Sequence, residues 1–93
     1  MTVTQKQPLT LGQVVSTPGA LSAFPMEFLT GCLQRHASRD WGDICEEDRA
    51  YNDADADGGG RILSSYNHES GQRLWVITEH DRSYTTLLLP EEY

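Results

Sequence analysis

Two-thirds of the way along the chain, the spacing of apolar positions changes from helical to alternating. Met26, Leu29, Cys32, Leu33 and Ala37 recur at helical spacing, which predicts an amphipathic helix over residues 25–37 docked on a core. Thr17 and Pro18 predict a shorter helix before it, with a hydroxyl N-cap followed by proline at the first helical position. Pro25 should end that helix, because it disfavours helical geometry at Phe24. Residues 61–67, 73–79 and 83–89 are rich in β-branched and aromatic side chains and are separated by short polar turns, which predicts an antiparallel meander. The middle segment is apolar on both faces around residues 74–77 and belongs at the centre, leaving residues 61–67 and 83–89 as the expected edges. Residues 9–16 read as a short extended segment weakened by Gly12, residues 1–8 as a loose tail, and Glu91-Glu92-Tyr93 as a charged tail beyond Pro90. The expected fold is α+β in a single domain over residues 1–93, with N-terminal helices packed on one face of a three-stranded antiparallel meander sheet.

Charge alters this plain picture in one place. Residues 40–57 hold Asp40, Asp43, Glu46, Glu47, Asp48, Asp53, Asp55 and Asp57 against the single base Arg49, which accounts for the whole formal charge of −7. A third helix is expected there, with Asp43 as N-cap, Glu46 completing an acidic capping box, and an end near Gly58 where glycines offer a left-handed cap. Ile44 and Tyr51 form its apolar seam, with Asp48 and Asp55 on the shoulder. Asp43, Glu46 and Glu47 suit the positive end of the helix dipole, whereas Asp53, Asp55 and Asp57 oppose it at about 0.3–1 kcal/mol each.

Two readings of this stretch stand open: a solvated helix that frays from Asn52 onward, or a binding face. In the second, Asp40, Asp43, Glu46, Glu47, Asp48, Asp53, Asp55 and Asp57 imitate a row of phosphates and occupy the basic surface of a nucleic-acid-processing partner. Trp41 suits either an aromatic anchor beside those acids or the core. An acidic chain is poorly suited to bind nucleic acid or an anionic membrane directly. The N-terminal residues lack the pattern of a secretion signal, so the expected compartment is the cytoplasm.

Candidate chemistry is sparse. Asp53, Asp55, Asp57 and Gly58 match the first half of a calcium-binding EF-hand loop, but the position that needs a bidentate glutamate holds Ser64. Cys32 and His36 lie four apart on one helix, with Cys45, His68 and His80 elsewhere, yet no tight ligand pair of the structural zinc type is present. Cysteines in a reducing compartment are expected as free thiols. The turns carrying His68–Glu69 and Glu79-His80-Asp81-Arg82 sit at opposite ends of the middle strand and do not converge on one acid–base site. With no nucleophile-elbow, phosphate-loop or metalloprotease motif, an enzyme is the minority reading and no cofactor is expected.

The runs DWGDICEED, GGRILSSY and LWVITEHDRSYTTLLLPEEY resemble a group of small bacterial proteins encoded near plasmid and phage genes, some labelled restriction-related. The resemblance spans residues 11–93. It implies a mobile-element context and a compact domain, and it brings no catalytic residues with it.

Overall fold

The computed structural model describes residues 8–93; the expected tail, apart from Pro8, lies outside them. Three helices, α1 (Pro18–Ala23), α2 (Met26–Ala37) and α3 (Glu46–Gly58), accompany four strands, β1 (Gln13–Ser16), β2 (Ile62–Asn67), β3 (Arg73–Thr78) and β4 (Tyr84–Leu88). The α+β class therefore holds, but the sheet has a fourth strand. Its order is β1-β4-β3-β2, with β2, β3 and β4 antiparallel and β1 parallel to β4. The extended segment before the helices thus joins the sheet, so β4 is internal and is not an edge. Gly12 makes this possible: its φ is +66°, and a Cβ there would strike the carbonyl oxygens of Arg82 and Ser83.

Local signals placed α1 and α2. The Thr17 hydroxyl accepts from the Ala20 N–H at 3.1 Å, and Phe24 is extended ahead of Pro25. The side of α2 that meets the sheet is rotated from the expected one. Leu29, Cys32 and His36 are buried, while Met26 is 64% exposed. Tyr66, Leu74, Val76 and Leu87 meet this face with Ala20 and Phe24 to form the main core. The C-terminus is docked as well. Pro90–Glu92 form a 3-10 turn, the Glu92 carboxylate accepts from the Thr17 hydroxyl at 2.6 Å, and the Tyr93 ring packs edge-on against Trp75 at 5.7 Å.

Beneath the last turn of α2 the core becomes polar. His36 has no exposed surface; its Nδ1 lies 2.5 Å from the Ser64 hydroxyl and its Nε2 2.8 Å from the Thr78 hydroxyl. Thr78 in turn lies 2.7 Å from the Thr85 hydroxyl, which donates to the Leu11 carbonyl at 2.7 Å. Because a carbonyl only accepts, the proton directions follow in sequence. Thr85 uses its proton on Leu11, so Thr78 donates to Thr85, His36 donates from Nε2 to Thr78, and Ser64 donates to Nδ1. Each polar side-chain atom along the chain then has a partner, with a neutral imidazole in a single tautomer.

Burial, together with the nearby positive Arg82, pulls the His36 imidazole down from 6.5 to about 4. The unfolded chain then takes up this proton first as pH falls, so stability is complete above 6.5 and declines toward pH 4. Urea unfolding across that window should show a loss of about 3 kcal/mol. A His36→Gln variant, although less stable, should lose most of that slope; an unchanged slope would refute the assignment.

Candidate functional site

α3 does not lie on the sheet face. It runs along the outer edge of β2, where backbone groups need polar partners. Residues 41–43 reach that edge first. The Ser65 N–H donates to the Trp41 carbonyl at 3.2 Å, the Asp43 N–H donates to the Ser65 carbonyl at 2.6 Å, and the Asn67 N–H donates to an Asp43 carboxylate oxygen at 2.9 Å. Gly42 allows this close approach: its φ is +77°, and a Cβ would collide with the Ser65 carbonyl. α3 then completes the cover through Asn52, whose amide donates to the Leu63 carbonyl at 2.8 Å.

The inward stripe of α3 is therefore Arg49, Asn52, Asp53 and Ala56, which is mostly polar; of the expected seam, Ile44 packs half-buried against the Trp41–Ile62 cluster just ahead of the helix. Arg49 donates to the Gly42 carbonyl at 3.2 Å. Tyr51 is turned out to solvent at 67% exposure. Asp43, engaged with β2, is not the N-cap; the helix begins at Glu46 after Cys45, which makes no side-chain capping bond.

Several carboxylates of the acidic segment have internal work. Asp40 is paired with Arg35 at 2.7 Å, and that bond lowers the Asp40 carboxyl below its usual range. Asp53 accepts from the Trp41 indole N–H at 2.9 Å, and Asp57 pairs with Arg39 at 3.0 Å. Trp41 is 1% exposed, so it is a core residue and not a surface anchor. The opposing dipole at the C-terminus of α3 is answered by Arg82, whose guanidinium donates to the Asp55 and Gly60 carbonyls, both at 2.7 Å. Gly59 closes the helix at φ 95°, so α3 runs intact past Asn52 and does not fray there.

Glu46, Glu47 and Asp48 remain exposed on the first turn, with Tyr51 on the next. Asp48 stands between two clefts. One, of about 280 Å³, is shared with Tyr51, Asp55 and Arg61. The other, of about 240 Å³, is formed with Asp43, Cys45, Ser65, Arg73 and Trp75 among its walls. Ser65 is 4% exposed, and its hydroxyl is the buried side-chain polar atom without a hydrogen-bond partner among the described residues. Sequence reasoning missed Ser65, Arg73 and Trp75. The signal was the two-residue period of β2, which sends Ser64 to His36 and Ser65 to the opposite face.

The remaining candidates do not assemble. The run from Asp53 to Gly58 is helical, so it does not form an EF-hand loop, and no group of three metal-ligating side chains comes together among the described residues. Cys32 is buried, and burial pushes its thiol up to about 11, which removes it as a nucleophile; Cys45 is exposed, and the two are not joined. His68 packs against the rings of Phe24 and Phe28. No helix among the described residues is long and apolar enough to cross a membrane. Comparison with protein-family models, with curated proteins and with solved structures finds no match.

Two outcomes are expected of the isolated protein. A thiol reagent should modify Cys45 readily in the native state and Cys32 only on unfolding, as followed by mass spectrometry. Arg82→Ala should cost about 2 kcal/mol in chemical unfolding, since it removes two charge-assisted bonds from carbonyls at a helix end.

Proposed function

We propose that this protein is a small, non-enzymatic acidic interaction protein that engages a basic-surfaced partner of the nucleic-acid-processing kind, within a mobile-element setting, and inhibits or modulates it. One observation carries the reading: with Asp40, Asp43, Asp53 and Asp57 engaged internally, Glu46, Glu47 and Asp48 still crowd one exposed turn beside an exposed tyrosine. Three carboxylates exceed what the partial positive charge of a helix N-terminus calls for, about half an elementary charge. The excess projects a negative field into solvent, where it speeds encounter with a basic surface and weakens as salt rises. Tyr51 takes the anchoring role that the buried Trp41 cannot fill, since tyrosine buries apolar area at little entropic cost. The acidic surface is thus narrower than the nine-residue set expected from sequence: its working members are Glu46, Glu47, Asp48 and Tyr51, with Asp55 at the rim of the neighbouring cleft.

The test is affinity capture from a bacterial lysate at low and moderate salt, comparing the native chain with a Glu46→Gln/Glu47→Gln/Asp48→Asn variant. The expected result is one dominant nucleic-acid-processing partner that is lost both with salt and with the variant. A partner held equally by the variant, or none at low salt, would overturn the proposal. Asp53→Asn and Asp57→Asn should instead lower the melting temperature and leave capture largely unchanged.

A further inference from the structure

We propose that the cleft of about 240 Å³ beside Asp48 is a binding site for one lysine or arginine side chain of the partner, with the Ser65 hydroxyl as its terminal acceptor. This inference rests on the acidic-partner reading above and names the contact that would make it specific.

The chemistry of the walls selects the ligand. A buried hydroxyl without a partner costs free energy, about 1–3 kcal/mol, and requires an explanation. Ser65 is such a group: it lines the cleft and lies on the sheet face opposite the one that α2 covers. Ile44 and Leu63 supply apolar wall on which an aliphatic stem can lie. The indole of Trp75 offers an aromatic surface that attracts a cation. Two carboxylates, Asp43 and Asp48, line the same cleft. One Asp43 oxygen already accepts from the Asn67 N–H, which holds that carboxylate in place.

The occupant is thus an apolar stem ending in a cation, the form of a lysine or arginine side chain. The cleft lies below the ~300–1,000 Å³ typical of small-molecule pockets, which favours a side chain over a free cofactor. An anion would face two carboxylates with a single guanidinium in compensation, that of Arg73. Arg73 is itself tied to the end of β2, its Nε donating to the Asn67 side-chain carbonyl at 3.1 Å.

The probe is an oligolysine peptide titrated into isotope-labelled protein at low salt and followed by NMR, with Ser65→Ala as the central variant. Alanine removes the unsatisfied hydroxyl and adds no atom to the buried site, so this variant should fold with stability close to that of the native chain. In the native chain, the amides of Asp43, Cys45, Asp48 and Ser65 and the indole N–H of Trp75 should shift together. Ser65→Ala should weaken binding by about ten- to a hundredfold, the loss expected for one hydrogen bond to a charged donor. Shifts confined to Glu46, Glu47 and Tyr51, with equal affinity in Ser65→Ala, would overturn the cleft and leave the acidic-surface reading standing. No binding of the peptide to the native chain at low salt would overturn both.

Discussion

The ordered hydrogen-bond chain through His36 is the constraint on which the rest of the structure turns. It begins on β2 at Ser64, passes through the imidazole of α2, crosses β3 and β4 at Thr78 and Thr85, and ends on the backbone of the N-terminal segment at Leu11. One line of protons therefore fixes the helix against the sheet and the N-terminal segment against β4. An apolar core of this size would tolerate small shifts of α2 along the strands. A polar chain does not, because any slip leaves a buried hydroxyl or ring nitrogen unsatisfied. The T-shaped contact of His36 with Trp41, at 5.6 Å, extends the same order to the loop that leads into α3.

From that loop the acidic segment acquires two functions that composition alone does not separate. Its inward members satisfy the structure: Asp53 holds the Trp41 indole, Asp43 closes the edge of β2, and Asn52 takes the Leu63 carbonyl. Its outward members face solvent. The arginines that balance the C-terminal end of α3 come from elsewhere, Arg39 from just after α2 to Asp57 and Arg82 from the turn between β3 and β4 to the Asp55 and Gly60 carbonyls, and both have positive φ. Left-handed backbone at two arginines is an unusual concession. It is consistent with the need to neutralise the C-terminal end of a helix that ends in acids.

Local chemistry made much of the fold legible. Thr17-Pro18, Pro25, the glycines after α3 and the two-residue period of the strands each act within a few residues, and each element they announce is present. Three features depend on distant partners and were not legible. The parallel contact of β1 with β4 joins segments at opposite ends of the chain. His36 reads only as a possible ligand four residues after Cys32, and the hydroxyls of Ser64 and Thr78 that make its burial favourable lie on distant strands. α3 presents a polar stripe inward, so a rule that turns apolar residues to the core points Tyr51 the wrong way. The cleft residues Ser65, Arg73 and Trp75 are scattered over two strands and carry no motif.

The pairing of β1 with β4 also sets a timetable. Gln13 lies beside Tyr84, roughly 70 residues later, so β1 has no sheet partner until β4 has been synthesised. The β2–β3–β4 meander is built from pairings between neighbouring segments, whereas the β1–β4 pairing closes a loop that encloses both long helices. The Leu11 carbonyl is the acceptor at the end of the His36 chain, so the N-terminal segment acts as a latch: only with it in place does every proton in that chain have a fixed direction.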